Sequence, residues 1–475
     1  MNTKIFLVGF VVFLRLFAFS AAEESNVFKA AAARIDITPQ TFPVTVNGGF
    51  LPWQTDKVID PLYARCLILH DGTEQIVFIV IDSCMIPLEM ADTIKTSIAK
   101  ETKIGVERIM ISATHCHSAP SLIYALGTPP DENYIAYLPG KIVELVAETQ
   151  KKLEPAKVGW AVGEDRNNVY VRRFYMKKGT ATTNPFSGKK NDRAQMNPGH
   201  ANKNKIARTG PVDPSVSVLS VMTKDDKPLA VLANYSTHYA GVSGGLSGDY
   251  FGVFSEEIKR LIADKVGSET VSENFLGIMT NGTSGDANCI DFLNPDRKFT
   301  YKTVGAETAA AAMAVWPNIR YFDWVPLGIV EKRIEIANRI PTAEEVKAAK
   351  EHLTKLDGGK IKTGIDVYAQ STVMMENWPK TSVLPIQAFR IGELGVTALP
   401  AEVYGMTGLE IKARSPFAPT MNISMANGYF GYVPPAEQHA LGGYNTWRTQ
   451  TSCLAEDAEA KIKQTAVELL QSLAP

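Results

Sequence analysis

Two pairs of apolar segments, each pair joined by a short polar turn, limit most strongly what this chain can fold into. The first pair is LYARCLILH (62–70) and QIVFIVID (75–82), and the second is SVSVLSVMT (215–223) and PLAVLANYSTH (228–238). In each pair the second run is almost continuously apolar, which is typical of a strand covered on both faces. We therefore predict two β-hairpins inside a covered sheet, and their similarity hints at two related halves.

Helices are predicted between the strands, at residues 87–101, 134–153, 249–264, 303–316, 342–355 and 455–472. The fifth begins with Thr342 and Glu345, which have the spacing of a capping box. The polar and basic stretch at about 187–212 predicts a solvated loop, with a mobile lid over a site as the alternative. Because strands and helices are interspersed without a dividing linker, the predicted fold class is α/β, a single large mixed α/β domain.

The N-terminus predicts a secretory signal peptide at residues 1–22. Lys4 supplies a positive charge, residues 5–14 form the apolar segment, and residues 20–22 are small, as a cleavage site requires. A retained membrane anchor is the alternative. We therefore expect a secreted or periplasmic protein whose mature part, residues 23–475, is the catalytic domain.

The charge balance and the cysteines exclude two classes of partner and site. The chain has 49 Lys+Arg against 50 Asp+Glu, a formal net charge of −1, whereas a nucleic-acid binder needs a basic face. The five cysteines include no CxxC pair, so a structural zinc knuckle is not expected. We interpret them as scattered buried hydrophobic residues, at least one of them unpaired.

Four apolar strands are followed directly by a side chain that can bind a metal or move a proton: His115, His238, Glu402 and Tyr432. Ligands of open α/β sheets bind outside the carboxyl ends of the strands, so we expect the catalytic residues at these C-terminal strand ends. Two imidazoles and one carboxylate form the ligand set of a catalytic zinc, with one position open for water. The sequence therefore predicts a zinc site.

Several of these features have a structural alternative. Of the two rings of the HxH motif, His115 and His117, we expect at most one to be a ligand unless the chain turns there. His117 would otherwise move a proton or support a ligand. Glu402 could occupy the first turn of a helix, and Tyr432 could belong to the core. The glycine-bearing turn at 282–285 predicts either an anion-binding nest or a plain turn.

Taken together, these segments resemble the neutral, non-lysosomal ceramidases. The resemblance covers nearly the whole mature chain and keeps the family's order of segments. Five segments carry it: ARIDITP (33–39) against ADITP, ATHCHSAP (113–120) against THTHSGPG, NYSTH (234–238) against NxxxH, ALPAE (398–402) against PGE, and Tyr432 with Tyr444 against Y(V/I)TT…RYEG.

The resemblance implies a function and assigns roles. The residues that it assigns to Zn²⁺ are His115, His238, Glu402 and Tyr432. The residues that it places beside the reacting amide are His117, Arg172 and Tyr444. Arg172 is the better match to the family's active-site arginine, and Arg173 stays open. The implied reaction is hydrolysis of the amide of an N-acylsphingosine-like lipid by zinc-activated water.

Three departures from the family keep other functions open. Asn288 stands where the family's GDVSPN has its serine, SAPS (118–121) replaces SGPGG, and the chain ends about thirty residues after Tyr444, where the family has an immunoglobulin-like domain. The alternatives are a zinc hydrolase of another amide, an ester or a lactone on a sugar or small molecule, and a non-catalytic zinc-containing binding protein. The expected partner is a small-molecule or lipid substrate. Peripheral membrane contact and the oligomeric state stay open.

Overall fold

A computed structural model describes residues 27–474, so the predicted signal peptide lies outside the described residues. The strands are β1 (Lys29–Asp36), β2 (Val44–Val46), β3 (Trp53–Thr55), β4 (Tyr63–His70), β5 (Gln75–Ile81), β6 (Ile109–Ala113), β7 (Glu154–Glu164), β8 (Tyr170–Val171), β9 (Arg173–Met176), β10 (Ala194–Met196), β11 (Lys205–Arg208), β12 (Ser215–Thr223), β13 (Pro228–Tyr235), β14 (Leu276–Asn281), β15 (Ala287–Asn288), β16 (Leu327–Ala337), β17 (Thr381–Ile391), β18 (Leu394–Ala398), β19 (Glu402–Val403), β20 (Thr420–Ile423) and β21 (Tyr432–Val433). The α-helices are α1 (Leu88–Thr102), α2 (Glu132–Gln150), α3 (Asp249–Val266), α4 (Tyr301–Val315), α5 (Ala343–Thr354), α6 (Gly364–Met374), α7 (Gly405–Arg414), α8 (Ala436–His439) and α9 (Ala458–Ser472). Over the described part of the chain, none of them combines the length and the apolar character needed to cross a bilayer.

The largest sheet consists of two half-sheets with the same strand order. Its eight strands run β14-β13-β12-β7-β1-β4-β5-β6. In one half β1, β4 and β5 pair antiparallel and β6 is added parallel, and in the other β7, β12 and β13 pair antiparallel and β14 is added parallel. Both predicted hairpins are present, at equivalent places in the two halves. The predicted relation between the halves agrees with this order.

The eight-stranded sheet is covered on both faces, which explains the continuous apolar runs. Along β5, Val77 and Ile79 pack towards helices α1 to α4, while Phe78 and Val80 pack towards the four-stranded sheet β16-β17-β18-β20. Phe78 and Phe389 of β17 contact across the two sheets, with ring centroids 5.3 Å apart. Helices α7 and α9 cover the outer face of the second sheet. The predicted single mixed α/β domain is therefore confirmed, as four layers in the order helix, sheet, sheet, helix.

A segment after β20 brings the two edges of the large sheet together. The backbone N–H of Ser424 donates to the carbonyl of Asn281 at the end of β14, 2.9 Å away. The N–H of Ala113 at the end of β6 donates to the carbonyl of Met425, 3.1 Å away. Both edge strands are thus held at their C-terminal ends by the same short segment. As a result, side chains that follow β6 and β13 can meet although these strands belong to different halves.

The six predicted helices correspond to α1, α2, α3, α4, α5 and α9. At α5 the capping box is formed, because the Thr342 hydroxyl accepts from the N–H of Glu345 and the Glu345 carboxylate accepts from the N–H of Thr342. Helices α6, α7 and α8 were not predicted. The sequence of α6 includes glycine and β-branched residues with low helix propensity, and a capping box of Thr363 and Asp366 fixes its start.

The prediction of a solvated loop at 187–212 is wrong. Strands β10 and β11 lie in this stretch and pair with β9 in a three-stranded sheet. The buried Asp192 carboxylate accepts from the N–H of Gly443 and from the indole of Trp447, at 2.8 and 2.7 Å. The basic composition misled the prediction, because Lys189, Lys190 and Lys203 are exposed while a few buried side chains anchor the stretch. Lys205 contributes as well, since its ammonium donates to the carbonyls of Gly199, His200 and Phe292.

The cysteines behave as predicted. All five lie within residues 27–474, where each is buried and none forms a disulfide bond. Burial raises the pKa of the Cys66 thiol to about 12, so this side chain stays protonated at neutral pH. These thiols therefore act as small core residues rather than as nucleophiles.

Candidate metal centre

Both histidines of the HxH motif face one pocket, and the chain turns at the first of them. His115 has a φ of 69°, in the left-handed region, and its N–H donates to the carbonyl of Ser83 at 2.9 Å. The Nε2 atoms of His115 and His117 lie 3.4 Å apart. Both rings are therefore close enough to serve one site, and His115 itself is not in an extended conformation.

Three metal-binding side chains from distant parts of the sequence converge at this turn. Nε2 of His115 lies 3.2 Å from Nε2 of His238 and 3.4 Å from Oε2 of Glu402. The distance from Nε2 of His238 to the same carboxylate oxygen is 4.0 Å. All three side chains are buried. These atoms are spaced closely enough to bind a single metal ion.

Neighbouring groups orient two of these side chains and leave one atom of each free. Nδ1 of His115 lies 2.7 Å from the carbonyl of Cys84, so Nδ1 carries the proton and the lone pair of Nε2 points into the site. The Tyr429 hydroxyl donates to Oε1 of Glu402 at 2.9 Å. Oε2 of Glu402 is buried without a hydrogen-bond partner. A bare carboxylate oxygen facing imidazole lone pairs fits a bound cation.

The electrostatics favour ligand forms of these groups. Burial, together with the neighbouring His115 and Arg172, lowers the pKa of His117 and of His238 well below the ordinary value. Burial alone would raise the pKa of Glu402, but the neighbouring His115 and Arg172 outweigh it, and the pKa is lowered. Neutral imidazoles beside an ionised carboxylate are the protonation states that metal binding requires.

The seven predicted site residues line one pocket of about 280 Å³: His115, His117, Arg172, His238, Glu402, Tyr432 and Tyr444. A guanidinium nitrogen of Arg172 donates to the carbonyl of Gly285 at 3.0 Å and to the hydroxyl of Tyr432 at 3.2 Å. The hydroxyls of Tyr432 and Tyr444 lie 3.4 Å apart. The strand ends thus meet as predicted, while the role of each residue stays a prediction.

Of the two adjacent arginines, only Arg172 is at the pocket. The guanidinium of Arg173 is fully buried and donates to the side chain and backbone of Gln438 and to the side chain of Asn445. It therefore orders the segment that carries Tyr444. The geometry favours the prediction of Arg172 over Arg173.

The turn at 282–285 does not form an anion-binding nest. The N–H groups of Gly282 and Gly285 donate to the carbonyls of Tyr235 and Val403, both at 2.8 Å. Ser284 donates its hydroxyl to Asn281. Asn288, which replaces the family's serine, accepts from the N–H of Ile290. Among the described residues that line the pocket none is a serine, so the alternative of a plain turn holds.

Asn281 is a site residue that sequence reasoning missed. It ends β14 and is buried, and its amide nitrogen lies 3.3 Å from the carbonyl of Thr237 and 3.5 Å from that of Thr114. Those two residues directly precede His238 and His115. A single side chain thus spans the two strand ends that carry the histidines. The sequence feature that could have identified Asn281 is its position at the end of an apolar strand.

Two further residues that were not predicted hold His117. The ring of Tyr239 stacks on the imidazole, with centroids 3.7 Å apart and planes inclined by 16°. Gly48 has a φ of +111°, and a Cβ there would lie 2.4 Å from the ring of His117. Only glycine fits at this contact. The position of Tyr239 directly after a histidine was its only sequence signal.

Gly285→Ala is expected to displace Glu402. A Cβ at this glycine would lie 2.5 Å from the carbonyl oxygen of Glu402, a backbone atom that cannot move aside alone. We expect metal affinity to fall by at least the ~10–100-fold typical of a lost supporting contact, as measured by competition with a chelator. Gly140→Ala is the control, because a Cβ there meets nothing within 4 Å. Wild-type metal affinity in Gly285→Ala would contradict this account of the turn.

Comparisons with known proteins give a match only at the level of structure. No protein-family model and no curated protein sequence matches the chain. The crystal structure of neutral ceramidase from Pseudomonas aeruginosa superposes with a TM-score of 0.69 at 19% identity, over 94% of this chain and 74% of that one. A structure of ceramidase complexed with C2 superposes with a TM-score of 0.68 at 18% identity, over 94% of this chain and 76% of that one. The chain therefore has the neutral ceramidase fold.

Proposed function

We propose that this chain is a zinc-dependent hydrolase that cleaves a linear carboxylic amide, as a neutral ceramidase does. One observation carries the proposal: the Nε2 atoms of His115 and His238 lie within 4.0 Å of the unpartnered Oε2 of Glu402. This is the donor set of a catalytic zinc. Tyr432 is the proposed fourth ligand, and the fold shared with neutral ceramidase supports the amide as the bond that is cleaved.

In this proposal the reaction uses water rather than a serine nucleophile. A bound zinc ion lowers the pKa of water towards ~7, which makes a nucleophile available at neutral pH. The imidazole of His117, whose Nε2 lies 3.4 Å from that of His115, accepts the proton of the attacking water and returns it to the leaving amine. Arg172 and Tyr444 donate hydrogen bonds to the developing oxyanion, each typically worth ~3–4 kcal/mol.

A second candidate is a zinc hydrolase of another amide, an ester or a lactone. It is favoured by the pocket, whose volume of about 280 Å³ is below the range of roughly 300–1,000 Å³ that holds drug-sized ligands. The same residues would perform the same steps on any of these acyl compounds. We further propose that the protein is secreted or periplasmic. This proposal rests on the predicted signal peptide, residues 1–22, alone.

The proposal is tested by metal content, measured by mass spectrometry on purified wild type, His238→Ala and His200→Ala. We expect about one zinc per wild-type chain, because the three donors form one mononuclear site. His238→Ala should lose it. His200 is exposed and does not line the pocket, so His200→Ala should keep it. No zinc in the wild type, even after zinc is added, would mean that these residues are structural.

A further inference from the structure

We propose that the substrate is a compact acyl compound without a long alkyl chain on either side of the scissile bond, and that Tyr368 sets this limit. The inference rests on the proposed function and names its substrate class. It starts from the small volume of the reaction pocket and from the aromatic rings that form its walls. They are Phe50, Tyr239, Tyr368, Tyr429, Tyr432 and Tyr444.

Tyr368 lies on an unusually long connection between two neighbouring strands. Strands β16 and β17 are antiparallel neighbours, and such strands are usually joined by about 2–5 residues. Here residues 338–380 intervene and form helices α5 and α6. Tyr368 lies on α6 and is buried. This long connection therefore adds a wall to a pocket whose metal-binding groups all come from the sheets.

Other aromatic rings pack against the ring of Tyr368 and hold it in place. The ring of Tyr368 lies 5.4 Å from that of Trp447, 5.9 Å from that of Phe186 and 6.0 Å from that of Phe50. Phe50 in turn lies 6.0 Å from Tyr444. Close-packed rings of this kind move only together. The pocket is thereby closed on the side of α6, and Tyr239 stacked on His117 narrows it elsewhere.

Directly behind Tyr368 lies a second space that an alkyl chain could otherwise use. It is a groove of about 340 Å³ between α5 and α6, and Phe186, Ile365 and Ala369 contribute apolar surface to it. Tyr368 lines both spaces and therefore separates them. A larger cavity of about 650 Å³ shares no lining residue with the pocket, and its charged groups include the pair Arg34–Glu256.

A long chain would gain little from such a pocket. Each methylene that moves from water into an apolar site typically raises affinity about fourfold, but only if the site has room for it. In the wild type this room lies behind Tyr368. The polar groups at the pocket, including Asn197 and Arg172, suit instead a small substrate with hydrogen-bonding groups of its own.

The test compares three amides on the zinc-loaded chain in one detergent: N-acetylethanolamine, N-palmitoylethanolamine and N-palmitoylsphingosine. The released amine is measured with a fluorogenic amine reagent. We expect kcat/KM for the acetyl compound to exceed that for either palmitoyl compound at least tenfold. Binding of acetate and palmitate, followed by tryptophan fluorescence, should show the same order without turnover.

Two variants test the part played by Tyr368. Tyr368→Ala joins the pocket to the groove and should reduce the acetyl-to-palmitoyl ratio at least tenfold. Tyr368→Phe keeps the ring and should keep the wild-type ratio. If Tyr368→Ala does not fold, as its melting transition would reveal, the wild-type ratio alone decides.

The outcomes separate the two proposals. Faster cleavage of N-palmitoylsphingosine by the wild type would overturn the compact-substrate inference and leave the zinc hydrolase intact. An unchanged ratio in folded Tyr368→Ala would overturn the assignment of the limit to this residue. No cleavage of any of the three by the zinc-loaded wild type would count against the amide hydrolase itself, and the inference would fall with it.

Discussion

Glu402→Ala is expected to abolish zinc binding and hydrolysis together. The substitution removes the carboxylate oxygen that faces both imidazoles without a hydrogen-bond partner of its own. Without it, two neutral imidazoles remain in a buried, low-dielectric site, and an added cation there lacks charge compensation. We expect zinc affinity to fall further than the ~10–100-fold typical of losing a supporting contact. Metal content and turnover of an acyl substrate, measured on the same preparation, check this.

Two tyrosine variants serve as comparisons for the zinc affinity of Glu402→Ala. Tyr429→Phe removes the hydroxyl that holds Oε1 of Glu402 and should weaken zinc binding ~10–100-fold while leaving the ligands in place. Tyr404→Phe is the matched control, because the Tyr404 hydroxyl is buried without any hydrogen-bond partner. Its zinc affinity should equal that of the wild type. One tightly held zinc in Glu402→Ala would show that this carboxylate is not a ligand.

Asp82→Ala is expected to have the largest effect on stability. Asp82 is fully buried at the end of β5, where its carboxylate accepts from Arg65 at 2.8 Å and from the N–H of Tyr63 at 2.9 Å. Burial raises the pKa of this carboxyl, and the Arg65 guanidinium offsets part of the increase. Removing one partner leaves a buried guanidinium unpaired, which typically costs about 3–5 kcal/mol. Urea denaturation should show a correspondingly lower free energy of unfolding.

The double variant Asp82→Ala with Arg65→Met isolates the cause. It removes the unpaired charge and keeps an unbranched apolar side chain, so much of the lost stability should return. The variant Arg260→Met is a matched control, since Arg260 pairs with Glu257 and Asp264 at the surface. Its stability should change by less than ~1 kcal/mol. A free energy of unfolding within ~1 kcal/mol of the wild type in Asp82→Ala would refute this assignment.

Local patterns in the sequence were sufficient to predict the layers of the fold. The continuous apolar run along β5 indicates burial on both faces, and the structure shows a sheet on one side and helices on the other. The capping residues at Thr342 located a helix start because the hydrogen bonds involved span three residues. Such interactions lie within a single stretch of chain, so the sequence alone can reveal them.

Contacts between distant segments were not predictable in the same way. The order of β13 and β14 relative to β6, and the closure by the segment at Ser424, depend on residues more than a hundred positions apart. The stacking of Tyr239 on His117 and the bridge made by Asn281 have the same origin. For the site, the residue types at the strand ends predicted what would meet, but not the neighbours that orient them.

The division of the large sheet into halves has a consequence for how the protein gains its metal. His115 follows β6 in one half and His238 follows β13 in the other. Glu402 follows β18, a central strand of the second sheet. The shortest contiguous piece that contains all three donors is residues 115–402. The proposed zinc ion, binding only to the assembled chain, would shift the folding equilibrium towards it by mass action. The ion would then bind late in folding, and its occupancy would indicate that all four layers are correctly assembled.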